Sequence, residues 1–164
     1  MTTSHRQKVV ILGGGYAGAL AAARLAQKDL PVQITLVDAS EYFVERIRLH
    51  QMATGQRVAL RPMTAVLPRE ARYRHGRVVA VDTASQAVTL ETPTGRETLG
   101  YDWLIYALGS TVDTQAVPGI AQFAHSLSGP WAAERLHTAL EAQAGRQGRV
   151  LVIGGGLTGI ESVT

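Results

Sequence analysis

Apolar residues come in short bursts along this chain of 164 residues, separated by glycine, proline and charge, and their period changes from segment to segment. Lys8 to Leu12 ends in a continuous apolar run, the pattern of a strand buried on both faces. From Tyr16 to Lys28 the period lengthens, and Ala22 and Leu25 fall at helical spacing on one side, which predicts a helix packed on a sheet. Gln33 to Val37 reads as a second, parallel strand, and Pro31 keeps the connection short. Glu41 to Gly55 reads as a loop running into a short helix closed by Gly55. Pro62 opens a further short helix and Pro68 ends it. From Arg72 the period drops. Arg77 to Asp82, Ala87 to Glu91 and Arg96 to Leu99 alternate or are β-branched, with Ser85-Gln86 and Thr94-Gly95 at the turns, so a three-stranded β-meander is predicted. Tyr101 to Ala107 is a further strand. Asp113 to Pro130 is low in charge and punctuated by Pro118, Gly119 and Gly129, a connecting segment. Trp131 to Ala144 reads as a helix, with Leu136 and Leu140 one turn apart on its buried side, and Arg149 to Ile153 predicts a last strand.

Two of the strand-to-helix junctions carry the same glycines. The first has Gly13, Gly15 and Gly18 in the spacing GxGxxG, with Tyr16 and Ala17 between the last two. The first glycine of such a turn permits the tight bend, the second lets backbone approach a pyrophosphate, and the third lets helix pack on strand. The unpaired N–H groups of the helix start then face the phosphates. Asp38 follows Gly18 by twenty residues, where a dinucleotide site places a carboxylate for a ribose hydroxyl. The second junction has Gly154, Gly156 and Gly159. Two such turns predict two dinucleotides on one chain, and hence electrons passing between them. The second turn is followed only as far as Thr164, short of the acid or arginine that would separate NADH from NADPH. A βα start without its partner strand cannot bury its apolar face, so the chain is expected to be the N-terminal portion of a longer protein.

Composition narrows the function classes. Hydrophobic residues make up 46% and charged residues 18% of the chain, the proportions of a soluble globular protein. No apolar run approaches a membrane span, and Met1 to Lys8 is too polar for a signal peptide. A cytoplasmic location is therefore expected, with peripheral membrane attachment left to any remaining portion. Cysteine is absent, which removes disulfides, thiolate metal sites and a redox-active CxxC from these residues. The five histidines have no metal-ligand spacing, so no metal site is predicted. The net charge of +3 is concentrated in Arg57, Arg61, Arg69, Arg72, Arg74 and Arg77. No aromatic stacking platform or recognition helix accompanies them, so no nucleic-acid partner is expected.

The ordered set of first glycine turn, meander, strand ending in YALGS and second glycine turn resembles the FAD-dependent NAD(P)H oxidoreductases of the pyridine nucleotide–disulfide oxidoreductase superfamily. The likeness covers essentially the whole chain. It implies an α/β fold: a Rossmann-like FAD-binding domain with a parallel sheet and a three-stranded meander over residues 1–112, a connecting segment and helix over 113–148, and the start of a second Rossmann-like, NAD(P)H-binding domain from 149. By the same likeness the first fingerprint binds FAD and the second binds NADH or NADPH. YDWLIYALGS resembles the second FAD motif, with Ala107, Leu108 and Gly109 where an alanine, a threonine and a glycine are usual. Leu108 leaves backbone contacts and no hydroxyl. Val79 resembles the residue whose backbone meets the adenine, and Glu161 the acid that follows the NAD(P)H glycines. The segment ending MATG resembles the flavin-flanking segment of type II NADH dehydrogenases and apoptosis-inducing-factor-like reductases, with Arg46 and Arg48 placed to reach the flavin or its phosphates. Ile47 stands where those quinone dehydrogenases usually carry proline.

The activity implied is hydride transfer from NAD(P)H to flavin, with electrons passing onward to an unidentified, non-disulfide acceptor. The flavin carries the chemistry, and no residue is assigned as catalytic. Two other readings remain at this point: a single-site NAD(P)-dependent dehydrogenase whose second fingerprint is chance, and a non-catalytic nucleotide-binding module. The chain by itself is expected to lack tightly bound FAD and to be inactive. Its strand Tyr101 to Ala107 is expected to have an open edge, inviting a dimer or a strand swap, and residues 149–164 are expected to pair non-natively or pack poorly.

Overall fold

The computed structural model of the chain describes residues 6–163; Met1–His5 and Thr164, both of which entered the sequence reading, lie outside the described residues. In chain order the elements are β1 (Gln7–Leu12), α1 (Tyr16–Ala26), β2 (Val32–Asp38), β3 (Tyr42–Phe43), a 3-10 turn (Arg46–Arg48), α2 (Leu49–Ala53), β4 (Arg61–Pro62), α3 (Met63–Val66) and β5 (Ala71–His75). They continue as β6 (Arg77–Asp82), β7 (Ala87–Thr92), β8 (Gly95–Gly100), β9 (Trp103–Tyr106), α4 (Ile120–Phe123), α5 (Pro130–Glu141) and α6 (Leu157–Glu161). They fall into two compact units. One is the chain up to Phe43 with Leu60–Gly109; the other is Val44–Ala59 with the chain from Ser110 onward.

The first unit is a parallel sheet in the order β5-β2-β1-β9. The register sets Val9 beside Ile34, Ile11 beside Leu36 and Leu12 beside Val37. Alternate residues therefore serve opposite faces. Val9, Ile11, Ile34 and Leu36 meet Ala22 of α1 and Met63 of α3 on one side. Val10, Leu12 and Val37 meet Val88 and Leu90 of the meander on the other. Cover on both faces is the physical reason for the unbroken apolar run in β1. Ala22 is fully buried, and Leu25 packs against the same cluster. The meander is an antiparallel sheet in the order β6-β7-β8. Helix α1 ends at Ala26 rather than Lys28, because Asp29 turns the chain at φ 45°.

Strand β5 was not predicted. It pairs in parallel with β2 from Ala71 opposite Ile34 to His75 opposite Asp38. Its sequence ARYRH alternates, with Ala71 and Tyr73 against the core and Arg72 and Arg74 outside it. The four arginines between positions 69 and 77, Arg69, Arg72, Arg74 and Arg77, mask that period, since only Ala71 and Tyr73 of the strand pack against the core.

The second unit has a small core of Leu49, Ala53 and Ala133, joined by Val44, Met52, Leu127 and Leu136. Here α2 packs on α5, and Gly55 at φ 82° closes α2 as expected. The strand predicted at Arg149 to Ile153 is not formed: these residues enter no ladder, and Val150, Leu151 and Ile153 are exposed. A strand needs a neighbour to accept its backbone hydrogen bonds, and no described residue supplies one. No helix among the described residues is long and apolar enough to cross a membrane.

Candidate functional site

The first glycine turn links β1 to α1. Gly13 has φ +103°, and a side chain there would run into the carbonyl of Ala107. A side chain at Gly18 would run into the carbonyl of Gly13. Both glycines are therefore required by the chain's own packing. Gly15 is different. It caps the helix at φ −72°, ψ −169°, a conformation open to any residue, and a Cβ there would meet nothing within 4 Å. The helix behind it, beginning with Tyr16 and Ala17, has no side-chain cap and no acid in its first turn. The second turn repeats the arrangement. Gly154 has φ +118°, Gly159 would meet the carbonyl of Gly154, and Gly156 faces open space. What the second turn lacks is a counterpart of Ala107 beside its first glycine.

Asp38 ends β2 and reaches back to the glycine turn. Its Oδ2 accepts from the Gly14 N–H at 2.5 Å and its Oδ1 from the Ser40 N–H at 2.7 Å. A carboxylate has about four acceptor positions, so lone pairs remain for a further donor. The loop after Asp38 is held from β5: the Tyr73 hydroxyl donates to the Ser40 carbonyl at 2.8 Å. Burial, reinforced by Asp38 and Glu41, pushes the Tyr73 phenol up to about 12, so it stays protonated and able to donate.

The YALGS segment meets the same turn. The Ala107 N–H donates to the Leu12 carbonyl at 2.7 Å, and Gly109 takes φ +73° as the chain leaves. Val79 on β6 is the residue skipped by the register, which steps from Val78 opposite Leu90 to Ala80 opposite Thr89. A bulged residue is left out of ladder pairing, so its backbone is available to another group. The structure thus brings together Gly13, Gly15, Tyr16, Ala17, Gly18, Asp38, Ala107 and Gly109, while Val79 sits at the start of the meander.

Arg46, Arg48 and Glu161 belong to the second unit. Arg48 donates to Glu45 at 2.9 Å and Gln51 at 2.8 Å, and Arg46 donates to the Ser110 carbonyl at 2.9 Å. Both guanidinium groups are thus engaged with their own chain. Glu161 on α6 lies 3.5 Å from His50 on α2. These two residues, with Gln51, Thr54, Gln56 and Ser162, line an open cleft of about 400 Å³. No group of three or more metal-ligating side chains occurs among the described residues.

Residues 7–163 match the pyridine nucleotide-disulphide oxidoreductase family. The chain belongs to this family. It is 29% identical to a demethylphylloquinone reductase of Synechocystis over 97% of its own length and 42% of that protein's. It is 33% identical to an NADH dehydrogenase-like protein of Mycobacterium tuberculosis over 94% of this chain and 41% of that one. Among solved structures, NDH2 from Plasmodium falciparum superposes with a TM-score of 0.78 at 20% identity, over 96% of this chain and 36% of that one. The chain therefore spans about two fifths of the length of the curated relatives it matches.

Membership agrees with the Rossmann-type α/β fold read from the glycine turns. The residues the sequence did not single out are those behind Asp38, namely Ser40, Glu41, Tyr73 and His75. Their common signal is position, at the carboxyl ends of β2 and the unpredicted β5. Ligands of open α/β sheets bind at that end.

Proposed function

We propose that these residues form the FAD-binding portion and the first NAD(P)H-binding turn of an NAD(P)H oxidoreductase that passes electrons to a non-disulfide acceptor. The observation that carries this reading is Gly15. Neither backbone conformation nor packing requires glycine there, whereas both neighbouring glycines of the turn are required, so the open space at Gly15 fits a group from outside the chain. A pyrophosphate matches it: the uncapped start of α1 supplies N–H donors, and Asp38 is held at hydrogen-bonding distance of the same turn for a ribose hydroxyl.

Gly13, Gly15, Tyr16, Ala17 and Gly18 hold the pyrophosphate, Asp38 the ribose, Val79 the adenine through its backbone, and Ala107 and Gly109 the flavin side. The family likeness assigns Arg48 to the flavin or its phosphates. Gly154, Gly156 and Gly159, with Glu161, open the NAD(P)H site. When bound, FAD accepts a hydride from NAD(P)H and releases electrons singly or in pairs. The chain's part is to bind, orient and exclude, and it carries no residue assigned to proton transfer. The absence of cysteine in these residues fits a flavin that acts without a thiol relay. The names of the curated relatives favour a quinone over oxygen or an iron–sulfur protein as acceptor.

The test is an absorbance scan of a protein carrying this chain at the full length of its relatives. Flavin bands bleached by NADH are expected, together with NADH oxidation that survives a thiol alkylating agent. Gly15→Val should lose the flavin while its apoprotein keeps the melting temperature of the wild-type apoprotein. A colourless wild-type protein, or a Gly15→Val variant with unchanged flavin content, overturns the reading.

A further inference from the structure

Val10, Leu12 and Val37 carry the meander on one face of the parallel sheet. Toward the starts of β1 and β2 the same face turns polar: Lys8 lies beside Gln33, and Val10 beside Thr35. These polar residues, with Thr98 and Gly100 of β8, line an open cleft of about 290 Å³ within the first unit. Packed sheets ordinarily fill the space between them with interdigitating side chains. Here the side chains of Lys8, Gln33, Thr35 and Thr98 form no hydrogen bond or ion pair among the described residues.

The ladder of β8 adds backbone donors. The Tyr101 N–H donates to the Gln86 carbonyl at 2.9 Å, and before it Gly100 lies opposite Ala87, Leu99 opposite Val88 and Thr98 opposite Thr89. Bonded and non-bonded positions alternate in an antiparallel pair. Leu99 therefore bonds to β7 as Tyr101 does, while Thr98 and Gly100 turn N–H and C=O away from it. No described strand pairs with β8 on that side, so these groups meet the cleft unpaired, about 7 Å apart along the strand. A second cation joins Lys8. Arg72 lies opposite Thr35, on the face from which Arg74 reaches Glu97 of β8 at 3.0 Å. The acids nearby are engaged: Glu97 by Arg74, and Asp102 Oδ2 by the Lys8 backbone N–H at 2.6 Å. The Lys8 ammonium and the Arg72 guanidinium have no such partner among the described residues.

We infer that this cleft binds a small oxyanion that also carries a hydroxyl group, a phosphate ester or a hydroxycarboxylate. Lys8 and Arg72 supply the charge that fixes the anion, and the Thr98 and Gly100 N–H groups donate to it, as a sheet edge can. The carbonyls of the same two residues accept from the hydroxyl, and Gln33 and Thr35 both donate and accept. The site is separate from the first glycine turn. Lys8 precedes Gly13 by five residues, about 16 Å along the strand, so the cleft lies toward the amino ends of the strands and the turn at their carboxyl ends. The inference therefore stands apart from the dinucleotide reading of that turn.

Two probes test it, glycerol 3-phosphate and malate, each titrated into this chain and followed by the backbone amide resonances of Thr98 and Gly100. Sodium chloride at matched ionic strength is the control. Saturable shifts of both amides are expected with at least one probe, and the tighter of the two names the anion. Lys8→Gln and Arg72→Gln change exposed side chains and should each raise Kd about fivefold, the upper range for a solvent-screened charge. Gly15→Val acts at the other end of β1 and should leave that Kd unchanged. Amides that move no further with either probe than with chloride overturn the inference. A wild-type Kd in the Lys8→Gln, Arg72→Gln double variant does the same. So does loss of the Thr98 and Gly100 shifts in Gly15→Val, which would trace them to the glycine turn.

Discussion

Three glycines in one turn have three different reasons to be glycine, and the difference can be measured. At Gly13 a side chain meets both a left-handed backbone and the Ala107 carbonyl. At Gly18 it meets the Gly13 carbonyl. Neither obstacle is the end of a flexible side chain, so relief requires moving the backbone just after β9 or that of the turn itself. Gly13→Ala and Gly18→Ala should each destabilise the chain by about 2–4 kcal/mol, in the range of strain at special backbone positions. Gly15→Ala meets nothing within 4 Å and should stay within about 0.5 kcal/mol of wild type. Chemical denaturation of the three variants checks this ordering. A Gly15→Ala variant as unstable as Gly13→Ala would show that Gly15 is structural, and would remove the observation on which the proposed function stands.

At the scale of elements, β2 and β5 cooperate to build the loop that carries Asp38, and Tyr73 is the link whose ionisation is visible. Its folded pKa lies near 12 against a usual 10.0. Between those values the folded chain holds a proton that the unfolded chain releases. The stability Tyr73 contributes is therefore whole below about pH 10 and is lost as pH rises toward 12. Tyr73→Phe should remove that alkaline loss while lowering stability at neutral pH through the missing hydrogen bond to Ser40. Urea melts of both chains at neutral and alkaline pH test it, and an unchanged alkaline slope in the variant would sink it. The same pair of strands marks how far the sequence could be read. β1, α1, β2 and the meander were legible because each has a period set by burial on one or two faces. β5 was not, because ARYRH has only Ala71 and Tyr73 packed against the core cluster, amid a run of arginines. Arg149–Ile153 was misread for the opposite reason. It has a strand's composition, but pairing is a property of neighbours, which a local pattern does not contain.

At the scale of the whole molecule, the unmet demands are a sheet edge and an apolar segment. β9 pairs with β1 on one side and with no described strand on the other. Trp103 and Tyr106 on it are 61% and 70% exposed. In the second unit Val150, Leu151, Ile153 and Leu157 are 71–84% exposed. An open edge offers unpaired N–H and C=O groups to any strand-forming segment, and Val150–Ile153 is β-branched and apolar enough to take the offer in a second copy. We therefore expect this chain to self-associate as concentration rises, through exchange of that segment onto β9. Charge on either partner should prevent it. Trp103→Lys places a cation on the edge at the loss of one hydrogen bond, from the indole N–H to Gln7 at 3.0 Å, and Leu151→Lys places one on the segment. Sedimentation velocity across a concentration series should show association in wild type and monomer in both variants. If only Trp103→Lys restores the monomer, β9 edges pair with each other and the segment is a bystander. Association untouched by either substitution, or a wild-type chain monomeric throughout, would end the exchange model.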